Sequence, residues 1–285
     1  MKKIVTGFAI VILIVFVVLS VLGSGGEYDA EKMLYWALRD GQKINVNPDV
    51  APPRLVRAVE DKLRAISLKY PKTATGKNSY MRLAEFYILV KKYDKAFETT
   101  DTVMKKYPTD KATMSMAQFL RGVIYERQDN WNKALDEFTI LRNKYADTPI
   151  GLEIPMYIAR HHESLEEKDD ARMAYAEAAA YYEKLENQYQ GKMLGYAASG
   201  FMIQALLNNK DYARAGSAVE GIINKYPANF TLNRYLPYIE HIYVRELKQP
   251  AKAIEIYSKL REKSKDKQFN EVLDKRIAEL RSGKK

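Results

Sequence analysis

Residues 84–108, AEFYILVKKYDKAFETTDTVMKKYP, carry the pattern that decides the fold. Ala96 stands near their centre, and Tyr107 and Pro108 end the stretch. The distance along the chain from Ala96 to Tyr107 is about three helical turns at 3.6 residues per turn, and a proline does not continue a helix. The spacing therefore predicts a helix from the alanine to the tyrosine, with a small residue where it crosses the preceding helix.

The same two markers return along the chain with one period. Alanines and closing tyrosines each recur every ~37–38 residues, with one longer step of ~44 residues in both series. Agreement between two independent markers indicates tandem helical pairs. The alanines are Ala96, Ala134, Ala171, Ala215 and Ala253. The closing tyrosines are Tyr70, Tyr107, Tyr145, Tyr189 and Tyr226, three of them followed by Pro71, Pro108 and Pro227.

This repeat resembles the tetratricopeptide family, whose unit of ~34 residues has a small residue at its eighth position, an aromatic at the eleventh and alanine at the twentieth. Two units match closely, through Ala84, Tyr87, Ala96 and Pro108 in one and Gly122, Tyr125, Ala134 and Phe138 in the other. Later units match less closely in their first helices, where Pro155 and Pro237 intrude. The longer period and the recurring Lys-Tyr-Pro look like the repeats of bacterial outer-membrane assembly lipoproteins and Tol-Pal-associated coordinator proteins.

The resemblance implies an all-α fold, a right-handed superhelical solenoid of about five to six helix-turn-helix pairs over residues 27–285. Residues 28–40 and 53–70 would form a divergent first pair, joined by the Asn/Pro-rich stretch 41–52. A one-sided helix would cap the C-terminal end, as terminal repeats require. Its apolar residues are Phe269, Val272, Leu273, Ile277 and Leu280.

Residues 1–26 are predicted to be a membrane anchor or signal segment followed by a Gly/Ser linker. Residues 4–22 are almost entirely apolar, and at ~1.5 Å per residue a helix of this length approaches the ~30 Å of a bilayer core. Lys2 and Lys3 precede it, which predicts a cytoplasmic N-terminus and a body in the periplasm or another extracytoplasmic space. Gly23 and Ser24 leave cleavage open. The absence of cysteine excludes a thioether lipid anchor and disulfides.

Neither catalysis nor a cofactor is expected. The chain has no cysteine nucleophile, glycine-rich phosphate loop or metalloprotease motif. Adjacent helical residues point about 100° apart, so His161 and His162 do not converge on one metal from a single helix, and no metal site is predicted. The net charge of +10 favours acidic partners, but an extracytoplasmic body would rarely meet nucleic acid, and none is expected as a partner.

The expected function is a protein–protein interaction scaffold of the cell envelope that binds a protein partner on a concave face lined by first helices. The residues predicted to bind there are Met81, Glu85, Met116, Phe119, Glu126, Met156, Arg160 and Glu163. Exposed Met and Phe suit adaptable binding surfaces; the alternative is that they pack between helices. A second functional hypothesis is binding of envelope polymer or anionic lipid through residues 259–285, which carry ten Lys/Arg against five Asp/Glu.

One unit is longer than the others, because Tyr189 follows Ala171 by seven more positions than Tyr107 follows Ala96. Seven extra positions are nearly two helical turns, so the second helix of this unit should continue unbroken and extend beyond its neighbours. We expect the extension to expose an edge that contacts a partner or another copy of the chain, unless an adjoining loop folds over it. The edge residues are Tyr181, Tyr182, Leu185 and Tyr189.

The lysine asymmetry around residues 4–22 generates a topology prediction. A reporter enzyme that is active only outside the cytoplasm, fused after Lys285, should be active in cells that express the full chain. The matched control carries a reporter that is active only in the cytoplasm at the same position. Activity of the second reporter with silence of the first would reverse the orientation.

Overall fold

The computed structural model describes residues 26–225 and 232–283, and every regular element in these ranges is helical. By its internal contacts the chain divides into two compact units, Met1–Gly151 and Leu152–Lys285. The tyrosine and proline predicted to close the fifth pair, Tyr226 and Pro227, lie outside the described residues, as do residues 1–25 of the predicted anchor segment.

The first unit consists of helices that pack on one another in sequence order. Helix α1 also packs on α3, and α3 on α5, so that first helices of successive pairs are neighbours. The elements are α1 (Glu27–Asn45), a 3-10 turn (Pro48–Val50), α2 (Pro53–Lys69), α3 (Ala74–Leu89), α4 (Tyr93–Lys106), α5 (Lys111–Arg127) and α6 (Trp131–Lys144). Helix α7 (Pro149–Ser164) begins in this unit and continues into the second. The predicted divergent first pair is confirmed, with a longer first helix.

The second unit continues the alternation of first and second helices. Its remaining helices are α8 (Lys168–Gln188), α9 (Met193–Asn208), α10 (Tyr212–Lys225), α12 (Pro250–Lys263) and α13 (Lys267–Arg281). Between α10 and α12 lies α11 (232–246), which joins a 3-10 turn (Leu232–Tyr235), one α-turn (Leu236–Ile239) and a π-helix (Glu240–Glu246). The predicted C-terminal cap is α13, which buries Phe269, Leu273 and Ile277 and leaves Val272 exposed.

The repeated alanines of the second helices are all buried. Ala96, Ala134, Ala215 and Ala253 have no exposed surface, and Ala171 is 7% exposed. The small residue on the facing helix is equally constrained, because a Cβ atom on Gly122 would lie 2.3 Å from a ring carbon of Phe138. The repeated alanines and Gly122 thus occupy positions with little or no room for a larger side chain.

The closing tyrosines end their helices without help from proline. Tyr70, Tyr107, Tyr145 and Tyr189 each follow the last helical residue and donate their backbone N–H to the carbonyl four residues earlier. Two of the four have no proline after them. In the turns after Tyr70 and Tyr145 a threonine hydroxyl donates 2.8 Å to the tyrosine carbonyl. The helix ends at the same position in all four cases, so a following proline is not required.

A left-handed residue connects the two helices of each pair after the first, and the sequence pattern did not reveal it. Five residues before each repeated alanine, φ is between 56° and 60° at Lys91, Asp129, Glu166, Lys210 and Lys248. At Lys210 the N–H donates to Leu207 O, and the next N–H donates to Leu206 O, the two hydrogen bonds of a Schellman motif. Glycine adopts this conformation without a Cβ penalty, yet none of the five positions is glycine.

A single substitution tests this turn. Lys210→Gly should raise the free energy of unfolding by about 0.5–1 kcal/mol relative to Lys210→Ala, because only glycine relieves the steric cost of positive φ. The alanine variant is the matched control, since it removes the same side chain and keeps a Cβ atom. Urea unfolding of the full chain measures both. Equal stability of the two variants would show that the left-handed turn is not strained.

Buried charge links the first two pairs. The carboxylate of Glu60 on α2 accepts hydrogen bonds from the Tyr87 hydroxyl at 2.9 Å and from Lys95 at 2.9 Å. Burial alone would raise the pKa of Glu60, but the hydrogen bonds from Lys95, Tyr87 and Lys92 lower it to about 2. The same burial, with the bond to Glu60, raises the pKa of Tyr87. The first two pairs are therefore joined by an ionised carboxylate that contacts both helices of the second pair.

The depressed pKa of Glu60 predicts how stability changes with acid. Its contribution is fully present above the ordinary pKa of 4.5 and is lost as pH falls towards the folded-state value of about 2. Glu60→Gln should lower the free energy of unfolding at neutral pH by about 1–3 kcal/mol and weaken the acid dependence. The control is Glu98→Gln, an exposed carboxylate of the same unit. Identical acid profiles of the two variants in urea unfolding would contradict the role of Glu60.

Candidate partner-binding grooves

A groove runs between α3 and α5, the first helices of two successive pairs in the first unit. It consists of two adjoining cavities of about 440 and 450 Å³, and Glu85 lines both. We call it the α3–α5 groove. The lining that matters for binding is Asn78, Met81, Arg82, Ala112 and Met116 in the first cavity and Ile88, Phe119, Val123 and Arg127 in the second. The groove combines an apolar floor with a polar rim, which is the combination that a site for an extended peptide requires.

The structure brings four of the predicted binding residues together in this groove. Glu85, Met116 and Phe119 are partly exposed, whereas Met81 is only 7% exposed and presents one edge to the cavity. The remaining predicted residue of this unit, Glu126, is partly exposed and does not line either cavity. The first-helix face that the sequence pointed to thus contains a concave surface, although Met81 belongs largely to the core.

The predicted residues of α7 do not form a comparable surface. Met156 is 2% exposed and lies in the core, so the expectation that it faces a partner is wrong. The reason is that α7 buries a wide face, from Leu152 through Ile154 to Ala159, instead of a single stripe. Arg160 is exposed and pairs with Glu153 at 2.8 Å. Glu163 is exposed and accepts the Tyr175 hydroxyl at 2.6 Å, and burial with this bond raises the pKa of Tyr175 to about 12.

Ion pairs hold the rim of the α3–α5 groove in place. Lys77 donates to Asp110 at 2.6 Å, which raises the pKa of the lysine and lowers that of the aspartate. Arg82 donates to Glu85 at 2.7 Å along α3. Both pairs are partly solvated, so they contribute little to stability. They present charges of both signs beside the apolar floor, which suits hydrogen bonding to a peptide backbone more than selection for one net charge.

A second groove lies between α9 and α11, the corresponding first helices of the second unit, and sequence reasoning missed it. Its cavity of about 390 Å³ is lined by Tyr196, Gly200, Phe201, Gln204, Arg234, Tyr235 and Tyr238. Packing does not require the glycine, because a Cβ atom on Gly200 would meet nothing within 4 Å. Mid-helix glycine costs about 1 kcal/mol relative to alanine. An open glycine beneath an aromatic wall therefore favours close approach of a ligand at this face.

The predicted length of the second helix is confirmed, but two of the four residues predicted to lie on its exposed edge are buried. Helix α8 has 21 residues, against 14 in α4, α6, α10 and α12. Tyr182 has no exposed surface and Leu185 is 6% exposed. The Tyr182 hydroxyl donates to Leu152 O at 2.7 Å, and its ring stacks on Phe201 at 5.3 Å. Helices α7 and α9 cover the extension, and the partly exposed Tyr181 and Tyr189 keep only part of the predicted edge.

Three possible metal ligands meet at the turn between α7 and α8. Ligand atoms of His162, Glu167 and Asp170 lie within 4.8 Å of one another. His162 Nδ1 is 2.7 Å from a Glu167 carboxylate oxygen, and this hydrogen bond across the left-handed turn is a sufficient structural role for the histidine. The two histidines of α7, His161 and His162, have rings almost perpendicular at 87°, as expected for adjacent residues of one helix.

Three of the ten basic residues in 259–285 are paired with carboxylates. Arg276 contacts Glu240 at 2.6 Å, Lys259 contacts Glu255 at 2.7 Å, and Arg261 pairs with Asp274. Charges paired in this way attract anionic lipid or polymer less strongly than a free basic patch. These three pairings reduce the basic charge that is free for the second functional hypothesis, the binding of envelope polymer or anionic lipid.

Residues 116–148 match the tetratricopeptide repeat family. This stretch covers most of α5 and all of α6 and contains Gly122, Ala134 and Phe138, three of the residues on which the resemblance rests. The α5–α6 pair is therefore the part of the chain that is similar to this family, whereas the finer resemblance to outer-membrane assembly and Tol-Pal-associated proteins stays a prediction.

Among solved structures, the chain is similar to a tetratricopeptide repeat protein from Parabacteroides merdae, with 14% identity and a TM-score of 0.32. The alignment covers 88% of this chain and 98% of that one, but similarity at this level carries no argument about fold. No curated protein matches the sequence. Within residues 26–225 and 232–283, none of the helices combines the length and apolarity needed to cross a bilayer.

Proposed function

We propose that this chain is a protein–protein interaction scaffold of the cell envelope, built as a right-handed solenoid of tetratricopeptide-like pairs. The observation that carries the proposal is the recurrence of an open groove between successive first helices, α3–α5 in one unit and α9–α11 in the other. Tetratricopeptide repeats generally mediate contacts between proteins, and the α5–α6 pair that matches this family contributes one wall of the α3–α5 groove.

The composition of the α3–α5 groove favours an extended segment of a partner protein. Met81, Met116 and Phe119 supply adaptable apolar contacts, and flexible methionine side chains adjust to different ligand shapes. Asn78 and Arg82 are exposed beside them and can donate hydrogen bonds. None of these features supplies a nucleophile, an acid/base pair or a cofactor cradle, so binding rather than catalysis is the activity proposed.

Placement in the envelope rests on the sequence of residues 1–26. The apolar stretch 4–22 follows two lysines, and Gly23–Gly26 would tether the repeats to it. We propose that this segment holds the body on the extracytoplasmic side of a membrane, where envelope proteins would be its partners and a second copy of the chain a further one.

Blocking the α3–α5 groove from an exposed position tests the proposed function. A photo-crosslinking amino acid in place of Asn78 should form adducts with a partner in intact envelopes, and Ala112→Trp should abolish them by filling the groove. Both positions are exposed and line the cavity, so the variants should fold normally. The control is Ala176→Trp, an equally exposed alanine on α8 that lines neither groove.

Circular dichroism of each variant checks that helicity and melting temperature are unchanged. Adducts that survive Ala112→Trp, or that Ala176→Trp removes equally, would contradict binding in this groove. Their loss in the first variant alone is the expected result.

A further inference from the structure

Helix α1 turns large side chains to solvent instead of burying them. Tyr28 is 68% exposed, Tyr35 60%, Trp36 44% and Leu38 42%. The opposite side is packed normally, with Ala30, Ala37 and Ile44 fully buried. Monomeric proteins seldom leave several neighbouring large apolar side chains uncovered. The outer face of α1, defined by Tyr28, Lys32, Tyr35, Trp36, Leu38 and Arg39, therefore needs an occupant.

The chemistry of this face combines aromatic rings with basic residues. At about 100° per residue, Tyr28, Lys32, Tyr35 and Arg39 fall in one stripe directly opposite the buried alanines. The Arg39 guanidinium lies 4.9 Å from the Trp36 ring centre, and the Tyr35 and Trp36 rings meet edge to face at 5.3 Å. Tyr and Trp prefer the headgroup level of a bilayer, and Lys and Arg there reach lipid phosphates while their stems contact apolar surface.

The chain itself limits where α1 can lie. Only the short stretch 23–26 separates residues 4–22 from Glu27, the first residue of α1. The five steps from residue 22 to Glu27 span at most about 18 Å at 3.3–3.6 Å per residue. If residues 4–22 cross a membrane, α1 must begin within that distance of its surface. Among possible occupants, only the bilayer is brought to this face by covalent connection.

We propose that the outer face of α1 lies on the membrane surface, with Tyr35 and Trp36 inserted at the headgroup level. This inference rests on the proposed membrane attachment and adds a second contact to it. Asp29 and Glu31 are exposed on the same helix and offset part of the basic charge. Insertion of the aromatic rings therefore carries the contact, and it should persist at high salt, unlike binding driven by charge alone.

The two tryptophans of the chain allow a direct test in full-length protein reconstituted into phosphatidylcholine vesicles. Trp131→Phe leaves Trp36 as the sole reporter, and the reverse variant, Trp36→Phe, leaves Trp131 as the matched control on α6. Trp36 emission should shift to the blue and be strongly quenched by lipids brominated near the headgroup, because interfacial side chains lie about 5–10 Å deep. Trp131 should not be quenched. Both results should hold at low and at high salt.

Co-sedimentation with the vesicles separates failure of this inference from failure of membrane attachment. Protein that sediments with vesicles while Trp36 is quenched no more than Trp131 would overturn the inference and leave the attachment standing. Protein that stays in solution would overturn both. A blue shift that depends on protein concentration and not on lipid would overturn the inference and assign the face to a second copy of the chain.

A further variant distinguishes insertion from simple proximity. Tyr28→Ser with Tyr35→Ser, in the Trp131→Phe background, should reduce quenching of Trp36 while the protein still sediments with vesicles. Unchanged quenching would show that the tether alone holds Trp36 near the lipid, and the proposal would fail.

Discussion

The fold depends on the close contact of two helices at one small residue in every pair. Ala96 and its four equivalents are buried at these crossings, and the space is tight enough that a single added carbon at Gly122 would collide with Phe138. Close approach lets the flanking larger residues interdigitate and keeps the helices within packing distance. The crossing recurs along the chain, and open grooves lie between first helices in both units, α3–α5 in one and α9–α11 in the other.

In each unit one contact between pairs is made by a tyrosine whose ring is buried and whose hydroxyl donates to a carboxylate. Tyr87 donates to Glu60 of the preceding pair, and Tyr243 donates to Glu220 at 2.6 Å in the second unit. A bulge in helix α11 accompanies the contact between Tyr243 and Glu220. Tyr243 precedes Ala253 by one more position than Tyr87 precedes Ala96, and the π-helix Glu240–Glu246 accommodates the additional residue. A carboxylate that is bonded in this way stabilises one relative position of two pairs.

The candidate binding surface was predictable in part. Met116 and Phe119 could be placed in the α3–α5 groove because two well-matched repeats fixed the register of both helices. The position of Met156 could not be predicted, because its helix α7 matches the repeat pattern poorly and buries more than one row of side chains. The aromatic groove of the second unit had no signal of its own, since Tyr196 and Tyr235 stand on helices that are not consecutive in sequence and form an edge-to-face pair only in the folded unit.

The sequence by itself determined the repeat period, the buried alanines, the helix ends at the closing tyrosines and the unbroken length of α8. These are local properties, because helical spacing and small-residue placement are written in consecutive residues. Only the tertiary structure decided that Tyr182 is covered while Tyr35 and Trp36 are not. Tyr182 on α8 and the pair Tyr35 and Trp36 on α1 are all large aromatic residues of helices. They differ in whether a neighbouring helix packs on the face that carries them. That choice is made by residues distant in sequence, which no local pattern records.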